Sequence, residues 1–251
     1  MALERLDKFI SDTMGITRKE AKEALSKGRV TVNGIICKKG DIKVSAEDEV
    51  CFDGIAKKKA GLVYILLNKP AGYLSATEDK KDKTVLDLLA EKEEFSELAK
   101  RAELFPVGRL DKDTEGLLIL TNDGKLAHFL LSPKRHVDKT YYAIVDKVPV
   151  KGAEKAFEEG IQVGEEYRAL PAKLERLSDT APYEILVTLH EGKFHQVKRM
   201  CHEVGSEVVY LKRIKFGNIE LDKDMQPGYA RFLKEEEIEG LFSEVGANSS
   251  E

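Results

Sequence analysis

Cysteine is scarce, and its three copies stand apart: Cys37, Cys51 and Cys201 show neither metal-ligand spacing nor a close pair. They read as reduced thiols of a reducing compartment, and zinc is not expected. Long apolar runs are missing as well. No stretch reaches transmembrane length, and Met1-Ala2-Leu3-Glu4-Arg5 lacks an apolar signal core, so a cytoplasmic protein with no membrane partner is expected. There is no Gly-x-Gly-x-x-Gly, no Walker sequence and no nucleophile turn, which leaves a nucleotide cofactor or a metabolic α/β enzyme without support. No pair of acids has the spacing of a glycosidase. His128, His136, His190 and His202 are dispersed and read as helix, turn or surface residues rather than ligands. No metal and no cofactor is expected.

What is present is ordinary folded protein, 251 residues with 42% hydrophobic content, enough for a small domain joined to a larger one. The net charge of -4 argues against nucleic acid only until its distribution is read. Through Lys59 there are thirteen Lys/Arg against ten Asp/Glu, a net of +3 that leaves -7 for the remainder. Glu235, Glu236, Glu237, Glu239, Glu244 and Glu251 supply much of that acid. Phosphate responds to the local field, not to the total.

Residues 1–59 read as the small domain. Leu6, Phe9 and Ile10 have helical spacing; Thr17 and Glu20 form a capping box for a second helix with Ala21, Ala24 and Leu25 inward. Gly28 ends it, and Arg29-Val30-Thr31-Val32-Asn33-Gly34 is a strand entering a hairpin-type turn. Arg18, Lys19, Lys22 and Lys27 decorate the outside of the second helix and its end. Such a face is either simply solvated or a phosphate-binding surface. The segment from Ala56 to Gly61 reads as a linker, whose lysines either touch a phosphate-bearing partner or keep the joint soluble.

Residues 60–240 read as the large domain. Leu62 to Leu67 suits a central strand, ended by Asn68-Lys69-Pro70. Thr84 caps a helix over Val85 to Leu89, and Glu91 to Lys100 is a charged helix. Lys139 to Val145, Leu170 to Leu177, Tyr183 to Leu189 and Val208 to Phe216 are strands. Gly152 to Glu159 is a helix, and Lys193 opens another that runs to about Val204. Many strands with few intervening helices argue for a mixed, largely antiparallel sheet. Residues 241–251 read as a flexible acidic tail.

One stretch organises the large domain. Arg109, Asp111 and Asp113 lie in a polar turn between Gly108 and Gly116, followed by the apolar run Leu117 to Leu120 and the stop Thr121-Asn122-Asp123-Gly124, which caps a further helix. An acid in a glycine-bounded loop beside the core suits a catalytic carboxylate, and equally a solvated turn. Tyr141 on its strand reads as a core aromatic by spacing alone.

The Gly-Arg-Leu-Asp core with Thr114, Gly116, the leucine-rich strand and Thr-Asn-Asp-Gly resembles the catalytic motif of the RNA pseudouridine synthases, most closely the small-subunit ribosomal RNA branch. Asn68-Lys69-Pro70-Ala71-Gly72-Tyr73 resembles the family segment that lines the active cleft, and Lys139-Thr140-Tyr141 its Lys-x-Tyr motif. Lys193-Phe194-His195-Gln196-Val197-Lys198-Arg199-Met200 resembles the motif whose basic residue pairs with the catalytic acid, in the form of the small-subunit branch. Arg5-Leu6-Asp7-Lys8-Phe9 with the Gly28–Gly34 segment resembles the S4 RNA-binding module. The motifs follow one another in family order up to about Leu233. One departure is Glu115, where the family commonly has a small hydroxyl residue, and this could add negative charge beside the RNA path.

The resemblance implies an α+β protein: an S4-like helical/β RNA-binding domain followed by a synthase domain on that mixed, largely antiparallel sheet. It implies Asp111 as the catalytic carboxylate, Tyr141 stacking on the target base, and Lys198 pairing with Asp111, with His195 structural or RNA-facing. Arg5, Lys8, Arg18, Lys19, Lys22, Arg29, Arg109, Lys139 and Arg199 are the expected RNA contacts. The reaction needs no cofactor. The expected partner is small-subunit (16S) ribosomal RNA, as a partly assembled ribonucleoprotein, met by a monomer. A synthase acting on the large-subunit (23S) RNA shares all the chemistry, and a non-catalytic ribosome-assembly factor would use the same S4-like module.

Overall fold

The computed structural model describes residues 3–14, 16–45, 47–57, 61–101, 103–244 and 246. The chain divides into two compact units, residues 1–61 and 62–250. Part of the linker segment, residues 58–60, lies outside the described residues.

In the first unit a short strand β1 (Glu4–Arg5) leads into helices α1 (Leu6–Met14) and α2 (Arg18–Ser26). The capping box forms as its residues require: Thr17 Oγ1 accepts from the Glu20 backbone N–H, and Glu20 Oε2 accepts from that of Thr17. Strands β2 (Val30–Val32), β3 (Ile35–Ile36), β4 (Lys43–Val44), β5 (Val50–Phe52) and β6 (Ile55–Lys57) follow. They pair as a sheet of order β3-β2-β5-β6, with β1 against β4. Leu6, Phe9 and Ile10 of α1 and Ala21, Ala24 and Leu25 of α2 pack on Val30, Val44, Val50 and Phe52 as one core. That is the burial which holds helices too short to stand alone in water.

The second unit is built on a nine-stranded sheet. Its elements are β7 (Tyr64–Lys69), α3 (Val85–Ala90), α4 (Glu93–Arg101), β8 (Phe105–Pro106), β9 (Glu115–Thr121), α5 (Gly124–Leu131), β10 (Lys139–Val145) and α6 (Ala153–Glu158). After the small ribbon of β11 (Gln162–Val163) and β12 (Tyr167–Arg168) come β13 (Lys173–Arg176), β14 (Tyr183–Leu189), α7 (Gln196–Glu203), β15 (Val208–Phe216), β16 (Ile219–Glu220), β17 (Ala230–Phe232) and α8 (Glu235–Glu244). The order is β13-β14-β10-β15-β9-β7-β17, with β16 on β15 and β8 on β9. Only the β15–β9 pairing is parallel among the described strands, so the sheet is mixed and largely antiparallel.

Sequence and position agree most closely in the middle of this sheet. β9 is buried on both faces, as a continuous apolar run requires. β10 alternates, with Tyr141, Ala143 and Val145 buried and Tyr142 and Ile144 half-buried. Gly116 sits at φ +103°, and a Cβ there would stand 2.2 Å from the Arg213 carbonyl oxygen. Only glycine admits that approach of β9 to β15.

The acidic C-terminal segment departs from the expectation of a flexible tail from residue 241. Through Glu244 it closes α8, and Leu241 is fully buried in the same core as Leu66, Leu117 and Ile119. Leu241, with Ile238 and Phe242 packed on the same core, outweighs the surrounding glutamates. Residues 245 and 247–251 lie outside the described residues. Smaller shifts are of the same kind: the strand expected over Leu170 to Leu177 is paired only at Lys173–Arg176, and α7 opens at Gln196 rather than Lys193.

Candidate active site

Asp111 sits in the loop between β8 and β9, and that loop is held from behind. The Lys69 side chain is fully buried at the end of β7. Its ammonium donates to the carbonyl oxygens of Pro70 (3.0 Å), Asp111 (3.1 Å), Lys112 (3.3 Å) and Thr114 (2.8 Å). Burial pushes this ammonium down to about 8, against the pull of Asp113, Glu115 and Asp111. Ser75 Oγ accepts from the Leu110 N–H at 3.0 Å and lies 2.9 Å from the Leu110 carbonyl oxygen, to which it donates. Gly72 N–H donates to the Lys112 carbonyl oxygen at 2.7 Å, and Thr114 N–H to that of Asp111 at 3.1 Å. The Asn68–Gly72 segment therefore fixes the backbone of the Asp111 loop. The Lys69 and Ser75 roles were missed in the sequence. The available signal was a lysine continuing an apolar strand, which the reading placed outside it.

The side chain of Asp111 points to a cavity that Arg109, Tyr141, Lys193 and His195 also line. Tyr141 comes from the centre of β10, and the motif of α7 brings Lys198 Nζ to 3.5 Å and His195 Nε2 to 3.6 Å from Asp111 Oδ2. His195 reaches it because its backbone is left-handed (φ 49°) just before α7 and its ring stacks on the exposed Phe194 at 3.8 Å. Three pieces far apart in sequence thus converge. Lys198 is not exclusive to Asp111, however: its Nζ donates to Asp113 Oδ1 and Oδ2 at 2.7 and 2.8 Å.

The other expected contacts divide. Arg109 is exposed at the cavity. Arg199 is bonded to Glu166 at 3.0 Å and lies over the Tyr167 ring. Lys139 has to be corrected: it is 5% exposed, with Nζ donating to the Val137 carbonyl oxygen at 3.0 Å and resting over Phe216. Burial pushes it down to about 8, and an ammonium so enclosed does not face RNA phosphate. Glu115 does not stand free beside the RNA path either, since its carboxylate accepts from the Tyr210 hydroxyl at 2.7 Å.

In the first unit, the exposed Arg5, Arg18 and Lys22 converge on one buried carboxylate. Asp7 is 2.9 Å from Arg5, 3.1 Å from Arg18 and 3.9 Å from Lys22. The Arg5 hydrogen bond, with Arg18, pulls Asp7 down to about 2. Arg29 pairs with Asp53 and lies 4.5 Å over Phe52, while Lys8 and Lys19 are exposed. Three cations on one anion leave a preorganised positive surface of the kind that meets phosphates.

No group of three or more His, Cys, Asp or Glu able to hold a metal occurs among the described residues. His190 pairs with Asp138 at 2.6 Å and His202 with Glu207 at 2.5 Å. Burial pushes the Cys201 thiol up to about 12, the state of an inert core residue.

Known proteins align with both units. Residues 63–203 match the RNA pseudouridylate synthase family and residues 4–50 the S4 domain. The ribosomal small subunit pseudouridine synthase A of Vibrio vulnificus is 42% identical over 240 residues, 95% of this chain and 99% of that protein. An uncharacterized RNA pseudouridine synthase of Bacillus subtilis is 43% identical over 93% of this chain and 96% of its own length. A crystal structure of a pseudouridylate synthase superposes with a TM-score of 0.65 at 39% identity, covering 94% of this chain and 99% of that one. With a carboxylate, an aromatic ring and a cation meeting in one cavity of the matching unit, the chain belongs to the RNA pseudouridine synthase family.

Proposed function

We propose that this protein converts one uridine of small-subunit ribosomal RNA to pseudouridine, working on a partly assembled ribonucleoprotein in the cytoplasm. The observation that carries the chemistry is that Asp111 and Tyr141 line one cavity, with Lys198 Nζ 3.5 Å from Asp111 Oδ2. The choice of RNA is supported by full-length relatives such as the small subunit pseudouridine synthase A of Vibrio vulnificus and of Escherichia coli, the latter 39% identical over 93% of this chain and 98% of that protein.

The reaction breaks the bond between ribose carbon 1 and uracil N1, turns the base, and joins ribose carbon 1 to carbon 5. The proton on carbon 5 leaves to solvent and N1 takes one up, so nothing is oxidised and no group is gained. A stacked base cannot turn, and the uridine has to be flipped into the cavity. Tyr141 supplies a flat surface for it. The Asp111 carboxylate acts at the ribose, either adding to carbon 1 or taking the proton at carbon 2, with the Lys198 ammonium 3.5 Å away as a positive charge beside it. The Asp7-centred cations hold RNA through its phosphates without reading sequence.

The test is to incubate the protein with small- and large-subunit RNA, each naked and partly assembled, and to map pseudouridine by reverse transcription after carbodiimide treatment. One new position in the small-subunit RNA is expected. Modification of the large-subunit RNA alone would reassign the substrate.

A further inference from the structure

Lys198 stands between two carboxylates and is bonded to the outer one. Its Nζ is 2.7 Å and 2.8 Å from the two oxygens of Asp113 but 3.5 Å from Asp111 Oδ2. Exposure runs the opposite way: the Asp113 side chain is 73% exposed, that of Asp111 27% and that of Lys198 24%. A cation shared between two acids is drawn more strongly to the less solvated one, where attraction is less screened. Asp113 wins here through bidentate geometry, on a turn that the Thr114 N–H to Asp111 carbonyl bond fixes. The Lys198 ammonium accordingly holds the Asp113 carboxyl below its usual range, with His195 adding a smaller pull in the same direction.

From this sharing we infer, building on the uridine-isomerising reading above, that Asp113 is a positioning residue which parks Lys198 in the RNA-free protein and yields it to Asp111 when RNA fills the cavity. The exchange needs no covalent step. Phosphates drawn to Arg109 and Lys193 at the cavity place negative charge near an exposed carboxylate, and like charges there repel. Asp113 swings out to solvent at little cost, because an exposed ion pair is weakly held. Lys198 has to move by less than about 1 Å to come within charged hydrogen-bond reach of Asp111. The charged partner of the catalytic acid is thereby completed only in the presence of substrate.

The test measures Kd for a small-subunit RNA fragment, together with kcat and KM for tritium release, in wild type, Asp113→Asn, Asp113→Glu and the same Asp113→Asn change in a Lys198→Met background. Asp113→Asn should tighten Kd about two- to fivefold at low salt. The gain should fade at high salt and be carried by KM rather than by kcat. Asp113→Glu should return Kd toward wild type, and the gain should shrink once Lys198 is gone, because no parked cation remains to be released. A gain of equal size without Lys198 would reduce Asp113 to plain repulsion of RNA and overturn the proposal, as would a fall in kcat with Kd unmoved. A wild type that binds RNA but releases no tritium would sink the isomerase reading instead, and the Kd cycle would still decide this one.

Discussion

Replacing Lys69 by methionine, close in length and without charge, tests how the Asp111 loop is held. Two of its four acceptors keep another donor: the Asp111 carbonyl has the Thr114 N–H, and that of Lys112 has the N–H of Gly72. The carbonyls of Pro70 and Thr114 lose the ammonium. A buried acceptor left bare costs about 1–3 kcal/mol, so the direct loss is roughly 2–6 kcal/mol. Against it stands the relief of a desolvated charge. Burial lowers Lys69 from 10.5 to about 8, a penalty of about 3 kcal/mol that methionine does not carry. The net effect at pH 7 then lies between about 1 kcal/mol of stabilisation and about 3 kcal/mol of destabilisation, with kcat falling about tenfold as the Asp111 loop loosens.

The pH dependence of that difference discriminates more sharply. Between pH 8 and 10.5 the unfolded wild type holds a proton on Lys69 that the folded form has lost. Stability contributed at this site therefore rises with pH through that window. Urea unfolding followed by circular dichroism at pH 7.5 and 9.5 should show the stability of wild type relative to Lys69→Met rising by about 1.4 kcal/mol per pH unit once above 8. A relative stability that stays constant or falls would mean that the ammonium is not desolvated behind the loop.

Further outcomes follow from other sites. Tyr141→Leu removes the stacking surface and should lower kcat/KM about 5- to 150-fold in tritium release, the worth of one base–aromatic stack; an unchanged value would make Tyr141 a core residue only. Asp7→Asn should destabilise the first unit by about 1–2 kcal/mol at neutral pH, after allowance for its half-exposed partners. The wild-type contribution is present above the ordinary Asp range and lost as pH falls toward about 2, where Asp7 protonates, and acid titration of the two proteins reads the difference. Neutralising Arg18, Lys19 and Lys22 together should weaken RNA binding and flatten its salt dependence by about 2–3 in slope, measured by filter binding from 50 to 200 mM salt. Unaltered binding would put the RNA elsewhere.

The sheet was largely legible because its strands announce themselves by burial. Lys139–Val145, Tyr183–Leu189 and Val208–Phe216 begin and end where their apolar patterns do, and the caps at Thr17, Thr84 and Asp123 form with the hydrogen bonds their side chains allow. Elements held by tertiary contact alone were less readable. β8 and β17 are two and three residues long and exist through pairing with β9 and β7, and α8 is fixed by Leu241, Ile238 and Phe242 within a run of glutamates. In the site, Asp111, Tyr141 and Lys198 were placed by motif, and the structure puts them together. Lys69 and Lys139 misled in the same way, because a lysine in sequence carries no mark of the carbonyls that will enclose it. The Asp113 hold on Lys198 depends on a turn in one loop meeting a helix 85 residues away, which local spacing does not encode.

The most direct measurement is release of tritium from carbon 5 of uridine in small-subunit RNA, by wild type and by Asp111→Asn, with RNA binding measured in parallel. Asparagine keeps the shape and removes the charge, so release by the wild type alone, with both proteins binding RNA equally, is the expected result. Full release by Asp111→Asn would contradict the assignment of Asp111 as the catalytic carboxylate, and no release by either would contradict the isomerisation of this RNA.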